Sequence, residues 1–239
     1  MNKQTLIDCG ALLEGHFKLS SGLHSDKFVQ CAKILQTFKG FTAVKDAVYG
    51  LLVSRPDFFK DIDVVIGGAY GGIRISQLIA MSLSESCGKE VRGIFCERIP
   101  RINIDKGLKV TERVLNKGVN ANTALVDMQE SIESGPFKLR RGFEIKPGEK
   151  VLIAEDVTTT GKSVGEITNL AVDKGGQVMG AISIIDRRKT KEDHIHIPQW
   201  DDGVLNNFFS LMEMDITTWK PEDCPLCKDS EAIKPGSRS

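Results

Sequence analysis

Residues 151–163 combine paired acids with a polar loop, and residues of these types could together bind a sugar phosphate. The segment reads Val-Leu-Ile-Ala-Glu-Asp-Val-Thr-Thr-Thr-Gly-Lys-Ser. Glu155 and Asp156 can accept hydrogen bonds from sugar hydroxyls, because an ionised carboxylate offers only acceptor atoms. The loop after them offers backbone N–H groups, hydroxyls and a helix N-terminus, which suit a phosphate. A ribose 5-phosphate needs both kinds of contact.

The end of this segment, Gly161-Lys162-Ser163, also matches the end of a nucleotide-binding P-loop. That motif needs a glycine five positions before the glycine of Gly-Lys-Ser. Asp156 stands there, and its carboxylate would repel the phosphates. An ordinary buried strand with a polar loop is the other alternative, but paired acids at the carboxyl end of a strand have little use in packing.

A second unusual loop, residues 67–72, contains four glycines in six positions. Glycine lets the backbone approach an anion closely and adopt positive φ. This loop and the loop at 155–163 each follow a predicted buried strand directly. Ligands of open parallel sheets bind beyond the carboxyl ends of the strands, so both loops can face one crevice. A plain tight turn is the alternative interpretation of 67–72.

The hydrophobic pattern predicts an α/β protein with a mostly parallel, twisted sheet flanked by helices, because apolar strands alternate with helical spacing. The predicted strands are 63–66, 91–96, 137–145, 151–157, 178–185 and 205–211, and the predicted helices are 3–14, 38–54, 73–86 and 163–174. Residues 15–36 read as strand and hairpin. Residues 98–136 are too long for an ordinary connection, and residues 220–239 read as a loop-rich tail.

The amino-acid composition indicates which partners and which cellular compartment to expect. The net charge is +0, and no block of like charge suggests a nucleic-acid surface. No apolar run reaches the roughly 20 residues of a membrane span, and the first residues show no signal-peptide pattern. The 6 cysteines, four of them scattered, fit reduced thiols better than a disulfide framework. We therefore expect a cytoplasmic protein without nucleic-acid or membrane partners.

Two of those cysteines, Cys224 and Cys227, form a lone Cys-x-x-Cys pair. A structural zinc site takes four ligands, and this pair supplies two. Two chains could complete a four-cysteine site across a dimer. Two free thiols or a labile disulfide are the alternatives.

Segment 151–163 resembles the phosphoribosyl diphosphate (PRPP) motif of the type I phosphoribosyltransferases. In that family a hydrophobic strand ends in two acids, followed by a small apolar residue, a threonine and a loop rich in Thr, Ser and Gly. The resemblance implies the type I phosphoribosyltransferase fold with a small N-terminal hood. It also implies that PRPP is bound by Glu155, Asp156, Thr158, Thr159, Thr160, Gly161, Lys162 and Ser163, and by Ala69, Tyr70, Gly71 and Gly72.

Residues 15–28 resemble the start of the orotate branch of this family. The branch pattern is Gly-x-Phe-x-Leu-x-Ser-Gly, a basic residue, Ser and then an aromatic residue, and eight spacings match. The resemblance implies base contacts from Ser21, His24 and Phe28, with Phe28 covering the pyrimidine. It divides the chain into a hood at 1–36, a core at 37–219 that contains a mobile loop at 98–136, and a tail at 220–239.

Two features depart from the pattern of the orotate branch. The resemblance implies an arginine in the helix after the PRPP loop that binds the orotate carboxylate, and Gly165 stands at the matching place. Lys162 or His24 would then have to supply the cation. The mobile loop of the family carries clustered basic residues; Arg98 matches the first of them, but an isoleucine and a proline follow it.

The function implied is transfer of the phosphoribosyl group from PRPP to orotate, giving orotidine 5′-monophosphate and pyrophosphate in pyrimidine biosynthesis. Arg98 and Asp156 are the implied catalytic residues, and Mg²⁺ is carried by PRPP without a direct protein ligand. A homodimer is implied. The alternatives are a transferase for another base, such as a purine, and a non-catalytic PRPP-sensing regulator. Such a regulator would carry a DNA-binding module or a basic face, and the sequence suggests neither.

Overall fold

The structure is a computed structural model that describes residues 1–19, 22–102, 132–192, 194–197 and 203–235, with the backbone alone at 101, 102, 132 and 133. Its strands are β1 (Leu12–Lys18), β2 (His24–Val29), β3 (Val64–Gly68), β4 (Arg92–Ile102), β5 (Ile132–Leu139), β6 (Lys150–Thr158), β7 (Gln177–Asp186), β8 (Ile195–His196), β9 (Val204–Leu205), β10 (Phe208–Glu213) and β11 (Thr218–Trp219). Its α-helices are α1 (Lys3–Asp8), α2 (Phe38–Ser54), α3 (Pro56–Phe59), α4 (Gly71–Cys87) and α5 (Lys162–Asp173).

A six-stranded sheet forms the centre of the molecule, in the order β10-β7-β6-β3-β4-β5. Every neighbouring pair is parallel except β4 and β5, which are antiparallel. All five residues of β3 are buried. A strand buried on both faces is apolar throughout, which is why the central strands read as continuous apolar runs. The predicted α/β fold with a mostly parallel sheet is confirmed.

Helices cover both faces of the sheet and build two hydrophobic cores. On one face, α2 and α4 contribute buried residues such as Val44, Val48 and Ile75. On the other face, α5 contributes Val164 and Ile167. The longest of the described helices have 17 residues, and none in the described ranges is long and apolar enough to cross a membrane.

Three elements begin or end at residues other than those that the sequence predicts. Helix α1 ends at Asp8, because Gly10 adopts a positive φ of 63° and the chain then enters β1. The strand expected at 137–145 lies instead at 132–139, where it pairs with an extended β4. Part of the expected mobile loop at 98–136 is therefore strand, and residues 103–131 lie outside the described ranges. The strand expected at 205–211 is split into β9 and β10.

The hood is a three-stranded antiparallel sheet in the order β1-β2-β11. Its third strand comes from residues far along the chain, and the tail continues onto β1. The Lys18 N–H donates to the Ile233 carbonyl, and the Ile233 N–H donates to the His16 carbonyl, both at 2.9 Å. The hood is thus larger than the expected segment 1–36, because residues beyond 217 supply partners for strand edges that would otherwise have unpaired backbone groups.

Candidate active site

The loop after β6 is shaped around a glycine that begins α5. Gly161 has φ 78°, and a Cβ there would lie 2.6 Å from Ile195, so both conformation and space favour glycine. The loop encloses a cavity of about 60 Å³, lined by Glu155 and residues 157–164. The backbone N–H groups of the first turn of α5 have no partners inside the helix, and they lie at this cavity.

Several polar groups of this loop are available to a ligand. The Thr158 hydroxyl is buried, and within the described residues it has no hydrogen-bond partner. Thr159, Thr160 and Lys162 are exposed. The Thr160 hydroxyl accepts a hydrogen bond from the Lys162 N–H at 3.3 Å, which holds the turn. With the helix N-terminus, these groups form a site suited to an anion.

The paired acids lie at the carboxyl end of β6, directly before this loop. Asp156 Oδ1 accepts a hydrogen bond from the Val157 N–H at 2.8 Å, and Glu155 Oε1 accepts one from the Asp156 N–H at 3.1 Å. Burial and the neighbouring Asp156 carboxylate raise the pKa of Glu155 well above its usual value. The two acids therefore differ in environment, and the sequence alone does not indicate this because the difference arises from burial.

We expect Glu155→Gln to stabilise the folded protein at neutral pH. The folded state raises the pKa of Glu155, so folding becomes less favourable as pH rises from the unfolded pKa, about 4.3, towards the folded one. The amide cannot ionise and avoids this loss. The urea midpoint of the variant should exceed that of the parent at about pH 8 and should converge with it near pH 4.

Glu90→Gln is the matched control, because Glu90 is exposed. Its urea midpoint should follow that of the parent across the same pH range. A midpoint of Glu155→Gln below the parent value at about pH 8 would mean that the Glu155 carboxylate stabilises the fold as an ion.

The glycine loop at 67–72 lies directly against Asp156, one of the paired acids. A Cβ added at Gly71 would lie 2.2 Å from Asp156 Oδ2, and one at Gly67 would lie 2.2 Å from the Gly72 carbonyl oxygen. The Ala69 N–H donates to the Cys96 carbonyl at 2.8 Å, and the peptide bond that follows Ala69 is cis. The two loops predicted to share one crevice are adjacent in the structure.

A larger cavity, about 520 Å³, lies between the hood and the loop at residues 158–163, which we call the phosphate loop because of the ligand predicted for it. Its lining includes Leu19, Leu23 and Phe28 from the hood, Thr159 and Thr160 from the loop, and Arg187. Phe28 is also in ring contact with Phe17, with centroids 6.0 Å apart. An aromatic wall, an adjacent anion site and a cation would suit a flat, anionic ring.

Arg187 is a site residue that the sequence analysis missed. Its side chain is half-buried, burial lowers the pKa of its guanidinium, and Nε has no partner among the described residues. The Arg187 N–H donates to the Thr158 carbonyl at 2.8 Å, so the residue is attached to the end of β6. Its position two residues after the predicted strand 178–185 was the available signal, because ligands bind at the carboxyl ends of such strands.

The neighbouring Arg188 differs, because its donors are already used within the protein. Its guanidinium makes a two-point ion pair with Asp186, with N–O distances of 3.0 Å, and stacks 4.0 Å from the Phe208 ring centroid. It also donates to the backbone carbonyls of Glu192 and His194. Arg188 therefore holds the loop beside the cavity, whereas Arg187, which lines the same cavity, has an Nε without a partner among the described residues.

His24 does not lie where the sequence prediction places it. Its imidazole is buried, with Nδ1 3.0 Å from His16 Nε2 and 3.2 Å from Cys227 Sγ. The ring is directed to this cluster because the tail docks on the hood, and His24 is not among the residues that line the cavity beside Phe28. Ser21, the other expected base contact, lies outside the described residues.

Arg98 lies beside the phosphate loop of its own chain, where its guanidinium already has partners within the protein. Its guanidinium pairs with Glu166 at 2.5 Å, stacks 3.9 Å from the Phe137 ring centroid and lies 3.5 Å from the Ser163 hydroxyl. It also donates to the Gly135 carbonyl at 3.1 Å. These contacts place positive charge next to the loop, and the catalytic role of Arg98 stays a prediction.

Gly165 lies on the buried side of α5, away from the crevice. A Cβ there would contact Ile197 at 3.7 Å, in the core. A side chain at this position would therefore point into the protein interior. Gly165 is not among the residues that line the larger cavity, whereas Arg187 is.

Two buried thiols near the crevice have pKa values raised by burial. Burial, together with the charges of Asp156 and Glu155, raises the pKa of the Cys31 thiol well above its usual value. Burial raises the pKa of Cys96 to about 12. A nucleophilic cysteine acts as a thiolate, so neither of these residues fits that role.

Comparison with known proteins shows which family the chain resembles. A family model described as phosphoribosyl transferase domain matches residues 32–201. An orotate phosphoribosyltransferase of Thermotoga maritima is 37% identical, and the alignment covers 100% of this chain and 98% of that protein. One from Heliobacterium modesticaldum is also 37% identical, covering 96% of this chain and 93% of that protein.

Solved structures show the same fold. The orotate phosphoribosyltransferase of Aeropyrum pernix matches with a TM-score of 0.52 and 20% identity, covering 90% of this chain and 94% of that one. An adenine phosphoribosyltransferase from Saccharomyces cerevisiae also reaches a TM-score of 0.52, at 14% identity, covering 88% of this chain and 99% of that one. At such identities the likeness concerns the fold alone and does not distinguish between bases.

Proposed function

The chain belongs to the phosphoribosyltransferase family, among the orotate phosphoribosyltransferases, and we propose that it transfers the phosphoribosyl group of PRPP to orotate. The products would be orotidine 5′-monophosphate and pyrophosphate, a step of pyrimidine biosynthesis. The observation that supports this most is that two cavities share Thr159 and Thr160 next to the paired acids, and that the larger one is lined by Phe28 and Arg187.

PRPP would bind across the two loops. Asp156 and Glu155 would accept hydrogen bonds from the ribose hydroxyls, because they lie at the carboxyl end of β6 immediately before the phosphate loop. Residues 158–163 would bind the 5′-phosphate through N–H groups and hydroxyls. Residues 69–72, which approach Asp156 closely, would bind the pyrophosphate through their backbone.

Orotate would occupy the cavity under the hood. The face of its ring would pack on Phe28, a contact of roughly 1 kcal/mol beyond the buried area. Its carboxylate would pair with Arg187, whose Nε has no protein partner in the described part of the chain. A buried carboxylate without a cation is costly. Arg187 therefore replaces Lys162 and His24 as the proposed partner of the carboxylate.

In the reaction, a ring nitrogen of orotate attacks C1 of the ribose, and pyrophosphate leaves with the electron pair of the C–O bond. Positive charge develops on the ribose ring, close to the Asp156 carboxylate, which stabilises it. The negative charge of orotate lies on its carboxylate, so the attacking ring nitrogen must also lose its N–H proton, which would pass to the leaving pyrophosphate or to water. The hood would cover the reacting atoms and limit hydrolysis of PRPP by water.

Mg²⁺ is the proposed cofactor, brought by PRPP. The donor set fits, because Mg²⁺ prefers oxygen ligands and the Asp156 carboxylate lies between the two loops. The oxygens of PRPP would hold the ion, with the Asp156 carboxylate near it but not bound to it, and the ion would offset the charge of the leaving pyrophosphate. Arg98, held by Glu166 next to Ser163, would add positive charge at the phosphate loop.

We also propose that the protein works as a cytoplasmic homodimer without nucleic-acid or membrane partners. This rests on the family and on the balanced charge of the chain. Light scattering on the purified protein tests the dimer, and a mass of twice 26.3 kDa is expected.

The test of the function is a PRPP-dependent assay with Mg²⁺ across orotate, uracil, hypoxanthine, guanine and adenine, read by product mass. Orotate should be ribosylated with a kcat/KM at least about 100-fold above the other bases, because they lack the carboxylate that Arg187 would bind. Omission of Mg²⁺ should abolish turnover. If a purine is ribosylated and orotate is not, the proposed base is wrong. PRPP binding without turnover of any base would favour a sensing role.

A further inference from the structure

Two imidazoles and two thiols meet where the tail docks on the hood. One nitrogen or sulfur atom from each of His16, His24, Cys224 and Cys227 lies within 4.8 Å of the other three. The histidines come from the β1–β2 hairpin, and the cysteines from the turn after β11. We propose that these four side chains bind one Zn²⁺ ion in a tetrahedral structural site.

The spacing of the ligand atoms is close to that of such a site. Bond lengths of about 2.0 Å to nitrogen and about 2.3 Å to sulfur imply tetrahedral edges of about 3.3 Å (N–N), 3.6 Å (N–S) and 3.8 Å (S–S). His16 Nε2 lies 3.0 Å from His24 Nδ1, and 3.4 and 3.7 Å from the sulfurs of Cys224 and Cys227. His24 Nδ1 lies 3.2 Å from Cys227 Sγ. These four distances lie within about 0.4 Å of the tetrahedral edges, and all four ligand atoms lie within 4.8 Å of one another.

A hydrogen bond outside the cluster sets the tautomer of His16. Its Nδ1 lies 3.0 Å from the Ser230 carbonyl oxygen and 3.1 Å from the Ser230 hydroxyl. A carbonyl oxygen can only accept, so Nδ1 carries the proton and donates it. Nε2 then keeps its lone pair, and this is the atom that faces the other three ligands. Histidines that bind metals commonly have this second contact.

The chemistry of the four side chains favours Zn²⁺ over hard cations. Mg²⁺ and Ca²⁺ take oxygen ligands, whereas two thiolates with two imidazoles are a typical zinc set. Four protein ligands leave no open coordination position, so the site would be structural and not catalytic. One chain supplies all four ligands, so the four-cysteine site shared by two chains, considered from the sequence, is not needed.

At the position of the cluster, a bound ion would hold separate segments of the hood and the tail together. It joins β1, β2 and the turn at 224–227, and the same hairpin supplies Leu23 and Phe28 to the larger cavity. A zinc ion would therefore fix the hood in place over that cavity. Because a preformed site is absent from the unfolded chain, metal binding would also stabilise the folded state.

The test uses the full-length protein, purified with reductant, stripped with a chelator and reloaded with Zn²⁺ or Co²⁺. Elemental analysis should find about one Zn²⁺ per chain after dialysis. The Co²⁺ form should show the visible bands of tetrahedral coordination with a sulfur-to-metal charge-transfer band. X-ray absorption should give two nitrogen and two sulfur neighbours.

Cys224→Ser combined with Cys227→Ser should lower the bound metal at least about 10-fold. Cys87→Ser is the control and should keep it, since Cys87 lies away from the cluster, with Sγ 4.0 Å from the Phe59 carbonyl oxygen. If the double variant does not fold, the Co²⁺ spectrum of the parent decides. Folded parent protein that takes up less than about a tenth of an equivalent of Zn²⁺ overturns the proposal. So does a thiol titration of protein purified without reductant, then unfolded with chelator present, that finds only four of the 6 cysteines free, which would indicate a disulfide.

Discussion

Replacing Asp156 with asparagine is expected to weaken PRPP binding about 10-fold and to lower turnover by at least as much. The carboxylate would make charge-assisted hydrogen bonds to ribose hydroxyls, and their neutral replacements are weaker by roughly 1–2 kcal/mol. The developing charge on the ribose would also lose a nearby anion. Calorimetric titration with PRPP and steady-state kinetics measure the two effects separately.

The asparagine variant should fold normally. Its side-chain oxygen can still accept the Val157 N–H, and it is no larger than the aspartate that contacts Gly71. Asp173→Asn is the control, because Asp173 is exposed at the end of α5 and should leave both constants unchanged. Unaltered PRPP affinity in a folded Asp156→Asn protein would exclude the ribose-binding role.

Replacing Arg187 with methionine is expected to raise the KM for orotate by about 30-fold or more, while the KM for PRPP changes less than about threefold. Removing a buried cation from a carboxylate leaves that carboxylate desolvated and unpaired, a loss of roughly 2–4 kcal/mol. Methionine keeps most of the side-chain volume, so the cavity should stay closed. Arg187→Lys should recover part of the loss, because it restores the charge but not the two-point geometry.

Two further variants separate the base site from the phosphate site. Lys189→Met removes an exposed cation from the lining of the same cavity and should have little effect on either KM. Lys162→Met, at the first turn of α5, should raise the KM for PRPP and leave that for orotate nearly unchanged. If Arg187→Met instead raises only the KM for PRPP, then Arg187 contacts the phosphates and the orotate carboxylate needs another partner.

The central sheet could be predicted from the sequence because its strands are buried on both faces. Val64–Gly68 and the first half of β6 are continuous apolar runs, and each is followed by a glycine-containing loop and a helical pattern. The hood could be predicted only in part. Strand β11 has two residues, Thr218 and Trp219, and its identity depends on pairing with β2 almost 200 positions earlier. A local pattern cannot show such a pairing.

The candidate site could likewise be predicted only where its residues lie close together in the sequence. Glu155, Asp156 and the residues of the phosphate loop lie on one continuous segment, so their spacing alone was enough to predict that they share a site. Arg187 is brought to the cavity by the parallel pairing of β6 with β7, and it differs from Arg188 because the donors of Arg188 are already used by Asp186 and by backbone carbonyls.

His24 matched a basic position in the sequence pattern, yet its ring faces His16 and the tail. The cysteines of that tail stood alone as a pair in the sequence, because the histidines near them lie more than 200 residues earlier. Groups that meet only after folding cannot be found from local spacing.

The docking of the tail on the hood also bears on the order in which the protein is made. His16 and Ser230 are in contact across 214 residues, whereas the strands of the central sheet pair over much shorter stretches. Contacts of such long range form late, because the chain between them must be ordered first. During synthesis the central sheet can therefore assemble while the hairpin still lacks its third strand and its cysteines. In a nascent chain, the phosphate loop would therefore form before the hood that lines the larger cavity is complete.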